Sequence, residues 1–171
     1  MTDSKQGELL VGAGQADITP AMGIQIAGDI GRYRPVEQIR DPLYARAVVV
    51  KCGGETLAIL TADVISITRA FADRIRRGAA EILGTKPEAV LCHATQTHSG
   101  PFVGNAMITD DYPLPADLWW LRGGDERYNE PFVRGMLRAV EQAKSSLQPA
   151  SLKAGRGIDG RVAFNRRYIM R

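Results

Sequence analysis

The apolar positions of this chain follow two periods, and the alternation between them lays out its elements. Leu9, Leu10 and Val11 open a short apolar segment that runs through Ala16 and Ile18 to Pro20, the pattern of a strand closed by a turn. Residues 45–52 and 56–62 are two runs of small and β-branched residues around Gly53-Gly54-Glu55, which predicts a hairpin. Both runs are nearly continuous in apolar residues, so the sheet they begin is expected to be covered on both faces. Phe71, Ile75, Ala79 and Ile82 then recur at helical spacing, with Gly84 after them as a stop. Residues 89–95 read as the next strand, and strand, helix and strand together make a βαβ unit with a parallel pair. A second helix is predicted from a cap at Asn129, with Pro131 in its first turn. Phe132, Met136, Val140, Ala143 and Leu147 lie down one face of it, and Pro149 stands beyond its end. A strand at 151–155 and a last segment at 162–168 complete the chain. The fold class is therefore α/β: a mixed, largely buried sheet with at least one βαβ unit and two amphipathic helices, in one domain over residues 1–171.

Two stretches escape this pattern. Residues 22–42 and 99–128 are rich in Gly and Pro and show little periodicity, with Trp119-Trp120 inside the second. Loops longer than about 12–15 residues in compact domains are usually functional or disordered, which makes both candidates for lining a site or forming a lid over it.

Composition changes this picture little. Hydrophobic residues make up 44% and charged residues 24%, near globular averages, which excludes a disordered or fibrous chain. The net charge of +3 is scattered, and Arg74-Arg76-Arg77 reads as a solvated helix face. With no basic module and no aromatic platform beside such charge, nucleic acid is not an expected partner. Cys52 and Cys92 sit in apolar runs and read as buried structural thiols without zinc spacing, although a disulfide between them stays open. The first eight residues are polar and no apolar run reaches the ~18–20 residues of a membrane helix, so neither a signal peptide nor a transmembrane segment is expected. A cytoplasmic location is the expectation that follows.

Chemistry concentrates at one strand end. Gly12-Ala13-Gly14 begins like a dinucleotide fingerprint, but Asp17 stands where the third glycine belongs. Ser99 lacks the glycine of a nucleophile elbow two residues before it, where Thr97 stands. There remains His93-Ala94-Thr95-Gln96-Thr97-His98 running into Ser99-Gly100-Pro101, which holds both histidines of the chain. On an unbroken strand Gln96 and His98 share a face and His93 points the other way, so the two imidazoles do not converge on one metal. A structural role is open to either histidine. The position of His98 beyond a strand's carboxyl end is where α/β sheets bind ligands.

The order of several short motifs adds a family. The segment Val11–Pro20, Ala45-Arg46-Ala47 before an apolar strand, Asp63 after the next one, the Thr95–Pro101 signature and Asn165-Arg166 together resemble the neutral/alkaline ceramidases, zinc-dependent amide hydrolases. The resemblance implies that this chain is the N-terminal portion of a larger α/β catalytic domain, with the rest of that domain as a partner. It implies hydrolysis of an N-acyl amide in a small amphiphilic substrate, ceramide or a related N-acylated amine, with Zn2+ polarising the carbonyl. It places substrate contacts on Gly28, His98 and Arg166, with His98 also as a catalytic group. The family's zinc-binding histidine falls on Gln96, which offers only a neutral amide where zinc prefers imidazole, thiolate or carboxylate. The family's other zinc ligands and its nucleophile lie beyond the matched motifs. A ceramidase-like domain that binds a ligand without catalysis is the alternative.

Overall fold

The computed structural model describes residues 7–29, 31–161 and 167. In chain order its elements are β1 (Leu10–Asp17), β2 (Tyr44–Cys52), β3 (Glu55–Ala62), β4 (Ser66–Ile67), α1 (Arg69–Leu83), β5 (Val90–Ala94), β6 (Phe102–Val103), α2 (Glu126–Ser145) and β7 (Gln148–Pro149). Short 3₁₀ turns at Pro87–Ala89 and Ala116–Arg122 complete the set. The main sheet has the order β5-β3-β2-β1-β7, while β4 and β6 form a separate parallel pair.

The hairpin forms where expected: β2 and β3 pair antiparallel from Ala45↔Ala62 to Cys52↔Glu55, and Gly53 and Gly54 both take positive φ at the turn. β3 and β5 pair in parallel with α1 between them, so the βαβ unit is present and the sheet is mixed. α1 ends as its pattern predicts, on Gly84 in the left-handed conformation at φ 67°.

α2 starts earlier than predicted. Its cap is Asp125, whose carboxylate accepts the Arg127 N–H, whereas Asn129 lies inside the helix and accepts the Gly104 N–H. The stretch 151–155 is not a strand; the last pairing to the sheet is Leu10↔Pro149 and Val11↔Gln148. The segment predicted at 162–168 lies outside the described residues, apart from position 167.

Both helices pack on one face of the sheet. The inner side chains of the strands are small, Ala16, Ala45, Ala47, Ala58 and Ala62 among them, and all are buried. Small residues let a helix sit close. A Cβ on Gly12 would lie 1.9 Å from the Ala143 carbonyl oxygen, and one on Gly14 would lie 2.1 Å from that of Ala139. The stripe Phe132, Met136, Ala139, Val140 and Ala143 of α2 fills the rest of this seam without measurable exposure. α1 is tied to α2 by a two-pronged ion pair of Arg74 with Glu130 and by Leu137 packed against Gly78.

The other face carries aligned rows. Ala13, Val48, Ile59 and Leu91 are register partners across four strands, and Val48, Ile59 and Leu91 are exposed by 39%, 42% and 56%. The apolar strands thus have both faces apolar, as the sequence pattern indicates, but within the described residues helices cover only one. The next row is polar: Gln15, Arg46, Thr61 and His93. Arg46 donates to Gln15 and to Asp63, and the Thr61 hydroxyl lies 3.1 Å from His93 Nδ1. Among the described residues no helix is long and apolar enough to cross a membrane.

Cys52 and Cys92 are both free thiols, and they differ in setting. Cys52 is exposed at the hairpin end, against the expectation of burial, because the alternation of β2 lapses at its last residues. Cys92 packs against the core, where burial pushes its thiol up from 9.0 to about 11. At pH 8.5 a thiol reagent is therefore expected to label Cys52 in the native protein and Cys92 only after unfolding. Equal labelling rates in the native state would contradict this placement.

Candidate functional site

The signature segment leaves β5 through a backbone break that aims its side chains. Thr95 and Gln96 donate their N–H groups to the carbonyls of Ala62 and Val64, so the chain still runs beside the end of β3. Gln96 then takes φ 60°, the one non-glycine residue with positive φ among those described. A non-glycine in this region is uncommon and costs strain. Beyond it Gly100 and Pro101 are fixed again, accepting from the N–H groups of Ala27 and Ile65. Residues 97–99 are thereby strung between two anchored ends.

The stretches 22–29 and 31–36 fold over this segment. Ile26 N–H donates to Arg34 O, and Val36 N–H to Ile24 O, making a narrow ribbon. At its tip Gly28 takes φ 110°, and a Cβ there would lie 2.9 Å from Cβ, Cγ and Nδ1 of His98. The backbone of Gly28 is thus the surface on which the imidazole rests. Asp29 beside it is held by Arg34 at 2.7 Å.

These pieces enclose a cavity of about 650 Å3. Gly28, Gln96, His98, Asp29, Arg32 and Ser66 contribute its polar part. Ile65, Phe102, Met107, Ile108, Trp120 and Leu121 make its apolar walls. Both irregular stretches therefore line one site, and they meet where Tyr33 packs edge-on to Trp119 with ring centroids 6.2 Å apart and against Trp120 at 6.1 Å. A concave, mainly apolar hollow with a few convergent polar groups is the usual form of a small-molecule site.

Of the residues singled out in the sequence, Gly28, Gln96 and His98 come together here, although Gly28 and His98 lie seventy positions apart. His93 stays on the open sheet face beside Thr61 and does not line the cavity. Arg166 and its neighbour Asn165 lie outside the described residues. Two other motif residues meet each other instead: Arg46 pairs with Asp63 at 2.9 Å, and Asp63 also accepts the Tyr44 N–H.

Sequence reasoning missed two residues. Gln25 and Asp125 are the buried polar side chains of the described structure, at 3% and 2% exposure. The Gln25 N–H donates to Asp125, and the Gln25 side chain bridges Arg32 O and the Arg34 N–H. Burial pushes the Asp125 carboxyl up, but hydrogen bonds from the Arg127 side chain and from the Gln25 and Arg127 N–H groups outweigh it, leaving the acid below its ordinary 3.8. The sequence signal for the cap was Asp125 directly before Glu126, masked by the lack of helical apolar spacing until Tyr128.

The donor set bears on a metal. Around the cavity's polar end stand one imidazole, His98, one carboxylate, Asp29, paired with Arg34, and the neutral amide of Gln96. Among the described residues no three His, Cys, Asp or Glu side chains gather as a metal would require. Zinc, which takes four such donors or three and water, does not fit these residues alone.

A family model described as neutral/alkaline non-lysosomal ceramidase, N-terminal, matches residues 9–168. The crystal structure of neutral ceramidase from Pseudomonas aeruginosa is similar at 27% identity with a TM-score of 0.67, over 84% of this chain and 22% of that one. A ceramidase complexed with C2 is similar at 27% identity and a TM-score of 0.65, with the same 84% and 22% coverage. The chain thus spans about a fifth of the length of these structures. No curated protein matches the sequence.

Proposed function

The chain belongs to the neutral/alkaline non-lysosomal ceramidase family, and from that premise we propose that its cavity binds the head and adjoining acyl chain of an N-acylated amine, ceramide or a related amphiphile, as part of an amide-hydrolysing site. The observation that carries this reading is the meeting of Gly28, Gln96 and His98 at the polar end of a cavity whose other walls are apolar. An amphiphile needs both. Phe102, Ile108, Trp120 and Leu121 offer an acyl chain the burial that stabilises each methylene by about 0.8 kcal/mol. At the other end the Gln96 amide both donates and accepts, which suits an amide or hydroxyl of the head. His98 is the imidazole there, with one ring nitrogen to donate and one to accept, so it is the candidate to orient a substrate hydroxyl or relay its proton. Arg166 is proposed to contact the same head, as the resemblance implies.

Among the described residues the donors do not by themselves compose a zinc site, so zinc enters no step here. Gln96 in place of an imidazole favours a second reading, a ceramidase-like domain that binds its amphiphile without hydrolysing it. Fluorescence tests binding directly, since Trp119 and Trp120 are the chain's only tryptophans and Trp120 lines the cavity. N-hexanoyl sphingosine is expected to shift their emission saturably in the wild-type protein and to lose this effect in His98→Ala. No saturable shift would overturn the site. An assay with the remainder of the family's catalytic domain present separates the two readings: release of hexanoate with Gln96 in place supports the hydrolase, and binding without release, or release gained only on Gln96→His, supports the binding domain.

A further inference from the structure

Gln25 and Asp125 present a question that the apolar core does not answer. A buried polar group without a partner costs about 1–3 kcal/mol, so a buried pair is tolerated only where every bond is made. Here Gln25 itself lines the cavity, and its side chain bonds to Arg32, another of the lining residues. Asp125 follows Gly123 and Gly124 directly; Gly123 lines the cavity and Gly124 bridges to Phe102. Through its own carboxylate Asp125 caps α2 and accepts the Gln25 N–H at 3.1 Å. Gln25 closes the ribbon by spanning Arg32 O at 3.2 Å and the Arg34 N–H at 2.9 Å. Two residues further on, the Ala27 N–H is fixed to Gly100 O, and next to it Gly28 backs His98. Arg127, bound to Asp125, holds Gly23 O at the ribbon's base.

We infer that Asp125 is a positioning residue: through Gln25 it clamps the ribbon's two arms, 25–29 and 31–34, so that Gly28 sets the orientation of the His98 imidazole at the cavity's polar end. This deepens the ligand-site reading and rests on it for its purpose, while the geometry is testable without any ligand. A merely structural cap would stabilise α2 and leave the imidazole where it is. The clamp predicts that loosening either Asp125 or Gln25 moves His98 and spares His93, which sits on the open sheet face.

The chain's two histidines make this measurable, because long-range proton–nitrogen spectra of the imidazoles contain two sets of signals, assigned with His93→Gln. In Asp125→Ala the His98 signals are expected to shift and broaden, with those of His93 unchanged. Asp125→Asn has one acceptor oxygen where the cap and the Gln25 N–H use two, so it is expected to leave the His98 signals shifted. Gln25→Leu leaves the cap intact and opens the ribbon, and it should reproduce the His98 shift in a protein with wild-type circular dichroism. If Asp125→Ala does not fold, Gln25→Leu decides alone. Unmoved His98 signals in the folded variants would overturn the clamp. A tenfold weaker response to N-hexanoyl sphingosine should accompany the shift. If the wild-type protein fails to bind that probe, the ligand reading falls and the imidazole signals still judge the clamp.

Discussion

Gly14→Ala is expected to destabilise the protein by about 3 kcal/mol, at the upper end of what overpacking a core position usually costs. The added methyl has nowhere to go. It would sit 2.1 Å from the Ala139 carbonyl oxygen and 2.6 Å from the Ala143 nitrogen, in the middle of a helical hydrogen bond. Backbone cannot rotate away as a side chain can, so α2 would have to lift from β1. Lifting it opens the seam along Phe132, Met136 and Val140, each fully buried. The neighbouring Ala13 points to the open face, where Ala13→Val should stay within about 0.5 kcal/mol of the parent. Urea unfolding measures both. A loss at Gly14 no larger than that at Ala13 would mean that the helix does not seat on these glycines.

That pair of glycines shows what was legible and what was not. Their spacing invites a phosphate-binding reading that fails at Asp17, and nothing in one dimension says that the real neighbour is a helix more than one hundred residues later. Local signals fared better. Gly53-Gly54 announced the hairpin and Gly84 the end of α1, because both act through the backbone of their own turn. The start of α2 was hidden because residues 126–131 carry charge and a proline where a helical apolar stripe would mark it. The two long irregular stretches were recognisable as site-lining by their length, but the sheet's open face was not, since apolar strands look alike whether or not a second layer covers them. Within the site, alternation along a strand put Gln96 and His98 on one side and His93 on the other. The first two do line one cavity, by way of a positive φ at Gln96 rather than continued pleating. The approach of Gly28 to His98 has no local signature at all, and only the family resemblance drew attention to Gly28.

Gly28→Val should separate binding from folding more sharply than any other single change. At φ 110° a β-branched residue is strained by about 1–3 kcal/mol, a cost the half-buried ribbon tip reduces by relaxing. Relaxation is what harms the site. The Cβ would begin 2.9 Å from three atoms of His98, so either the ribbon withdraws from the cavity or the imidazole turns out of it. Affinity for N-hexanoyl sphingosine is therefore expected to fall about a hundredfold, equivalent to about 2.7 kcal/mol. The urea midpoint should record a loss of only about 1 kcal/mol, since no core residue moves. Gly23→Ala supplies the control: it also substitutes a glycine at positive φ, 81°, but has no atom within 4 Å of the added carbon and does not line the cavity. It should show the strain in stability and leave binding within about threefold, a change of under 1 kcal/mol. If the two variants bind the probe alike, the imidazole is not seated on Gly28 in solution, and the polar end of the cavity must be built by other groups.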